Sequence, residues 1–125
     1  MSSTNQTAVY PISKLTWLKI LDRLVTPSFN SVKWSRQQKR YRILGEAKAS
    51  WKEEDQLFNR TWEIMEVSPD GISVKSIDEC SVGLRINLLV NLDGLPIPLY
   101  GTVMHCTQTI GGFKIGVRLE FDAIR

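Results

Sequence analysis

The sequence has few of the residues that build disulfide frameworks, zinc sites and catalytic dyads. It contains two cysteines, Cys80 and Cys106, and one histidine, His105. Two cysteines cannot form a disulfide framework, and with one histidine they give no ligand spacing for zinc. His105 and Cys106 are neighbours, so on a strand they point to opposite faces. A Cys80–His105 dyad is conceivable, but a structural histidine and a buried, inert thiol are favoured, so we expect no enzyme, no metal and no cofactor.

Long apolar stretches are also missing. No run of about 18 apolar residues is present to span a membrane, and the N-terminal Met-Ser-Ser-Thr-Asn-Gln-Thr lacks the charged and apolar regions of a secretion signal. We therefore expect a cytoplasmic protein with no transmembrane segment. With 42% apolar and 23% charged residues in 125, the chain has the composition of one soluble domain with a hydrophobic core.

Positive charge is concentrated in one short segment, residues 33–42, which we call the basic segment. It contains five lysines and arginines and no acid, whereas residues 1–32 sum to +2 (3 basic, 1 acidic) and residues 43–125 to −4 (8 basic, 12 acidic). This distribution favours a compact anionic ligand held at one place over a nucleic-acid duplex held along a broad basic face. Arg36 and Arg40, four residues apart, would point to the same side of a helix or of an extended chain. The alternative is a solvated basic linker.

Two hydrophobic periods divide the remaining chain. Apolar residues at helical spacing predict a helix over 14–25, capped by Ser13 or Thr16 and ended by Pro27. We expect its apolar stripe to cover one end of the core; a dimer contact or membrane adhesion are the alternatives. From Tyr41 onward the period changes to two. Turn sequences separate six predicted strands, near 42–51, 60–67, 72–78, 83–89, 97–106 and 112–121.

Short antiparallel strands at this spacing close best into a small barrel, which removes exposed edges. The predicted fold is therefore mainly β, a six-stranded antiparallel β-barrel with an N-terminal amphipathic helix. We divide the chain into 1–33, the polar N-terminus and helix, and 34–125, the barrel domain with the basic segment. Pro96 and Pro98 suggest that the fifth strand begins only near Leu99, because an internal proline cannot donate to the ladder. Trp51 and Trp62 are expected in the core or on the barrel surface.

Three motifs, taken in order, resemble the PilZ domain family. They are Arg36-x-x-x-Arg40, the loop Asp78-Glu79-Cys80-Ser81-Val82-Gly83, and the closing strand from Ile115 to Phe121. The resemblance covers roughly residues 34–122 and implies a barrel of PilZ type that binds cyclic di-GMP through an RxxxR segment and a [D/N]xSxxG loop. It also implies a role in motility, exopolysaccharide secretion or biofilm formation, exerted through an unidentified downstream protein. In this register Cys80 occupies the serine position.

The resemblance implies a set of ligand contacts. Arginine suits phosphates and guanine edges, a carboxylate can accept from guanine N–H groups, and glycine permits close backbone approach. Asp78 and Gly83 have structural alternatives as ordinary turn residues, and Trp34 has one as an apolar anchor. The implied contacts are Arg36, Arg40, Asp78, Cys80 and Gly83, with Lys39, Ser81 and Trp34 as secondary candidates.

Two functions therefore remain open for the chain. The first is a cyclic di-GMP sensor, monomer or dimer, whose basic segment becomes ordered on binding and regulates a partner. The second is a degenerate PilZ-fold adaptor that binds no nucleotide and acts through protein–protein contacts, for which Cys80 is the main argument. A single-stranded nucleic-acid-binding barrel is a third possibility, but the −4 charge of residues 43–125 argues against it.

Overall fold

The structure, a computed structural model, describes residues 11–25 and 45–121. The strand pairs are all antiparallel, and the sheet closes into a barrel in the order β1-β2-β3-β6-β5-β4. The prediction of a mainly β fold, a six-stranded antiparallel barrel with an N-terminal helix, is confirmed. The elements are α1 (Lys14–Val25), β1 (Gly45–Glu53), β2 (Gln56–Val67), β3 (Gly71–Ser76), β4 (Arg85–Leu92), β5 (Leu95–Thr109) and β6 (Gly112–Leu119).

The barrel interior is filled by the apolar side chains of alternate strand positions. In β4 every second residue is buried and every other one is exposed, as the period of two requires. Trp51 and Trp62 are 7% and 2% exposed, so both belong to the core. Trp51 stacks on Phe58 with ring centroids 5.7 Å apart.

Helix α1 covers one end of this interior. Ser13 caps it, because its Oγ accepts a hydrogen bond from the backbone N–H of Thr16 at 3.1 Å. Trp17 is fully buried, and its indole N–H donates to the carbonyl of Ser68 at 3.0 Å. Lys14 binds Asp70 at 2.6 Å. The prediction that the apolar stripe of the helix covers one end of the core is confirmed. Within residues 11–25 and 45–121, no helix is long and apolar enough to cross a membrane.

The pairing register defines two ends of the barrel. The helix end contains α1, the start of β1 at Gly45 and the β2–β3 turn, because β2 runs antiparallel to β1 and finishes where β1 begins. The loop end contains the β1–β2 turn, the β3–β4 connection (residues 77–84) and the β5–β6 turn. The cross-strand partners of a described barrel residue therefore show which end of the barrel is nearer to it.

The prediction that β5 begins near Leu99 is wrong, because β5 starts at Leu95 and contains both prolines. Pro96 and Pro98 pair with β4 opposite Asn91 and Leu89, whereas β6 joins β5 only from Gly101 onward. The carbonyl of Pro98 accepts from the N–H of Ile12 at 3.1 Å, so the backbone at this position faces away from β4. A proline there removes no ladder hydrogen bond, which is why the strand tolerates it.

Candidate functional site

The β3–β4 connection, from which the sequence predicted part of the ligand site, lies at the loop end. Asp78 is tied into this end by Arg60, whose Nε lies 3.4 Å from the Asp78 carboxylate. Arg60 itself lies over the rings of Trp51 and Phe58, 5.9 and 5.7 Å from their centroids. Asp78 thus holds an arginine of the barrel wall. The Ser76 Oγ atom accepts a hydrogen bond from the N–H of Asp78 and donates one to the carbonyl of Asp78, as in an ordinary turn.

Cys80 points into the core. It is 5% exposed, and its backbone N–H donates to the Sγ atom of Cys106 at 3.4 Å. Burial, reinforced by the neighbouring Cys106, raises the pKa of the Cys80 thiol from 9.0 to about 11. The side chain is therefore a neutral core thiol at physiological pH, a poor nucleophile and poorly placed to contact a ligand outside the barrel.

Gly83 and Ser81 have backbone roles in this connection. Gly83 adopts φ of 96°, a conformation that favours glycine, and its N–H donates to Val103 at 2.8 Å. Ser81 is exposed, and its carbonyl accepts from Leu84 at 3.4 Å. The connection is thus a closed turn that covers the loop end, and each of its predicted site residues has a structural explanation.

The basic segment joins the barrel at the other end. Trp34, Arg36, Lys39 and Arg40 lie outside the described residues, but the chain that follows them enters β1 at Gly45. Arg40 precedes Gly45 by five positions in the sequence, so its Cα lies at most about 18 Å from this entry point. The nine residues of β1 extend over roughly 26 Å before they reach the loop end. The helix end is therefore the nearer place for Arg40 to bind a ligand.

A second match to the acid-x-Ser-x-x-Gly pattern lies at that end. Glu66-Val67-Ser68-Pro69-Asp70-Gly71 has serine and glycine in the expected positions and glutamate in place of aspartate. It forms the end of β2 and the β2–β3 turn, in which the N–H and the Oγ of Ser68 donate to the carbonyl of Gly71 at 2.9 and 3.3 Å. The 78–83 loop keeps the aspartate of the pattern and has Cys80 in place of the serine. The match at 66–71 keeps the serine and has glutamate, which is one methylene group longer, in place of aspartate.

A groove of about 360 Å³ begins at this turn and runs over the outer face of β2, β3, β6 and β5. Its volume falls within the ~300–1,000 Å³ of typical small-molecule sites. One cross-strand row forms its floor, since Glu66 pairs with Ser73, Ser73 with Gly116, and Gly116 with His105. The lining includes Glu66, Ser68, Gly71, Lys114, Gly116 and Arg118.

The groove combines two cations with two acids, Glu66 and Asp70, and with groups that can form directional hydrogen bonds. Lys114 and Arg118 lie on β6 two residues to either side of Gly116, so all three face the same side of the sheet. Arg118 is 58% exposed and lies 3.8 Å from Glu120, too far for a strong ion pair. Ser73 Oγ is buried and has no hydrogen-bond partner among the described residues. These groups could together bind an anion that carries planar, hydrogen-bonding parts.

A larger hollow, about 850 Å³, lies on a different wall of the barrel, over β1 and its neighbours β2 and β4. It is lined mainly by neutral polar and apolar side chains. Its two cations are Lys48 and Arg60, and Arg60 is the partner of Asp78. It includes neither the 66–71 turn nor any residue that the sequence analysis proposed for the ligand. We therefore consider the smaller groove the better candidate.

The described residues contain no group of three or more histidine, cysteine, aspartate or glutamate side chains that could hold a metal. Comparison of the sequence with models of known protein families gave no match, and a search of curated proteins gave none either. The PilZ resemblance therefore rests on residues of this chain alone, and the site is defined by its geometry.

Proposed function

We propose that the chain is a cyclic di-GMP-binding sensor and that the ligand occupies the groove at the helix end. The observation that carries the proposal is the position of the 66–71 turn. It places an acid, a serine and a glycine in the pattern of the resemblance at the mouth of a groove, at the end where the chain that follows the basic segment enters β1.

Cyclic di-GMP has two phosphates and two guanines, and the proposed site offers groups for the phosphates and for a guanine. Arg36 and Arg40 would supply charge-assisted contacts to phosphate or to the guanine O6/N7 edge. Glu66 would accept from the N1–H and N2–H₂ groups of guanine, as the shorter aspartate was expected to do from the loop. Gly71 leaves the mouth of the groove without a side chain at this position, where a Cβ atom would lie 3.0 Å from the carbonyl oxygen of Val117.

The proposed output is ordering of the basic segment. Five cations without an acid in ten residues repel one another, and a dianionic ligand at the mouth of the groove would neutralise part of that charge. An ordered segment then offers a surface to a downstream protein. By resemblance, the regulated process would be motility, exopolysaccharide secretion or biofilm formation.

Titration calorimetry with cyclic di-GMP tests this function, with GTP and a short single-stranded oligonucleotide as controls. We expect micromolar or tighter binding of cyclic di-GMP, since two arginine contacts of about 1.5–3 kcal/mol each account for much of ~8 kcal/mol. GTP should bind at least tenfold more weakly because it has one base. Equal binding of the oligonucleotide would favour the single-stranded nucleic-acid-binding barrel.

The adaptor alternative is favoured by one observation at the loop end. Four apolar side chains there are at least 60% exposed, although the interior of the barrel is well filled: Leu57, Ile77, Val82 and Ile110. The surrounding segments 53–57, 77–84 and 109–112 carry five acids and no lysine or arginine. Such a surface suits a partner protein with a basic, apolar face.

The adaptor and sensor functions can be separated experimentally. If the chain is only an adaptor, the calorimeter shows no heat with cyclic di-GMP. A photo-crosslinking residue at Ile110 then captures one protein reproducibly, whereas the same residue at Glu63, on the exposed wall of β2, captures none. Nucleotide binding with no effect of an Ile77→Asp substitution on crosslinking from position 110 would argue against the adaptor.

A further inference from the structure

The imidazole of His105 lies across the groove floor, over a glycine. His105 and Gly116 are direct partners on β5 and β6, and a Cβ atom at Gly116 would collide with Nε2, Cε1 and Cδ2 of the ring. The ring therefore covers the backbone of β6 at this point. Because His105 is an exposed residue, the ring also presents surface to solvent.

Two features of the strands produce this arrangement. The β5–β6 register shifts between Val103 and His105, and such bulges re-aim side chains. Gly116 stands in the interior of β6, where a glycine weakens a strand and often marks the close approach of another group. Here the approaching group is the imidazole. Any larger residue at position 116 would displace it into the groove.

The surroundings of the ring match a nucleotide. Lys114 and Arg118 lie about 7 Å from Gly116 in opposite directions along β6, and both line the groove. On the β3 side the unpartnered hydroxyl of Ser73 lies opposite Gly116. A planar ring with a cation at each side and a free hydroxyl suits a flat base that carries phosphate.

We propose that His105 is the residue on which one guanine of the ligand stacks. Imidazole is one of the aromatic groups on which protein-bound bases stack, and the exposed side of this ring faces a groove that a base can enter. The inference deepens the proposed function, on which it rests, and adds a positioning and specificity role on β5 that the basic segment and the 66–71 turn do not supply. Lys114 and Arg118 then bind the phosphates next to the stacked base.

The test uses His105→Ala and His105→Phe, with Thr107→Ala, an exposed position on the same strand, as the matched control. We expect calorimetry to show that His105→Ala weakens cyclic di-GMP binding about 5- to 150-fold, the range for loss of one stacked base. His105→Phe retains a planar ring and should bind within about threefold of the parent. Thr107→Ala should not change the affinity.

A second measurement uses the unmodified protein and does not depend on the folding of a variant. His105 is the chain's one histidine, so its ring proton resonances are identified without ambiguity. A guanine stacked on the ring should move them upfield as cyclic di-GMP is added. If the parent binds cyclic di-GMP but these resonances stay in place and His105→Ala binds as tightly, the inference is wrong and the proposed function stands. If the parent does not bind, both fail.

Discussion

At the scale of single residues, Ser68 and Ser81 distinguish the two possible ligand loops. Both are serines in turns that follow a strand, but Ser68 lies at the mouth of the groove and Ser81 at the loop end. We expect Ser68→Ala to weaken cyclic di-GMP binding about 2- to 12-fold, the value of one neutral hydrogen bond. Ser81→Ala, the matched control, should bind like the parent. If Ser81→Ala weakens binding and Ser68→Ala does not, the ligand binds at the 78–83 loop instead.

Cys80 is a residue whose environment predicts a dependence of stability on pH. Its pKa is about 11 in the folded protein against 9.0 ordinarily, so the folded state holds the thiol proton more tightly. The stabilisation of the folded state that comes from this raised pKa is fully present below pH 9 and is lost as the pH rises from 9 to 11.

Urea unfolding of the parent and of Cys80→Ala at pH 8 and pH 10.5 measures this dependence. The stability difference between the two proteins should shrink by on the order of 1–2 kcal/mol at the higher pH. All other residues are the same in both proteins, so their contributions largely cancel in the comparison. A difference that stays constant would mean that the thiol is not desolvated.

At the scale of secondary-structure elements, α1 is a structural cap of the barrel. Trp17 is fully buried, whereas Leu15 on the same helix is 63% exposed. We expect Trp17→Ala to lower the free energy of unfolding by about 3–5 kcal/mol, because it leaves a large cavity and removes the bond to Ser68. Leu15→Ala should change it by less than about 0.5 kcal/mol. Equal effects in urea unfolding would contradict the position of the helix.

The basic segment is the element that the proposed function needs for affinity. Arg36→Ala and Arg40→Ala should each weaken binding by about 2–3 kcal/mol, because each removes a charge-assisted contact. Lys33→Ala, at the start of the segment, controls for general loss of charge and should have a smaller effect. Melting temperatures should stay close to that of the parent. If both arginine variants bind as tightly as the parent, the segment is not part of the site.

The helix and strands were largely predictable because their information is local. The spacing of Trp17 and Leu21 predicted α1, and the alternation in β4 and β6 predicted strands. The start of β5 was not predictable, because Pro96 and Pro98 are tolerated only where β6 leaves one side of the strand free. That arrangement depends on pairing between distant segments, which a local pattern does not contain.

At the scale of the whole molecule, the candidate site was less predictable than the fold. The sequence contains two loops similar to the motif, and the sequence prediction considered only the one with an aspartate, at 78–83. Which loop shares an end of the barrel with the basic segment follows from the register of β1 and β2. The contact between Gly116 and His105 was not predictable for the same reason, because the two residues lie on different strands.

The two ends of the barrel suggest a division of functions in the whole molecule. The helix end carries the groove and the start of β1, whereas the loop end carries the exposed apolar and acidic side chains. Ligand binding at one end and a protein contact at the other could occur together. The loop-end surface suits the adaptor function, whereas the proposed sensor would contact its partner through the ordered basic segment.

The position of the ligand is the central claim, and a heteronuclear NMR titration of the ¹⁵N-labelled chain with cyclic di-GMP tests it most directly. We expect the largest amide shifts at Ser68, Gly71 and Gly116, together with those of the basic segment, and shifts near zero at Asp78 and Gly83. The first three line the groove, and the last two lie at the opposite end of the barrel. Shifts concentrated at Asp78 and Gly83, or none in the barrel at saturating nucleotide, would contradict the proposed site.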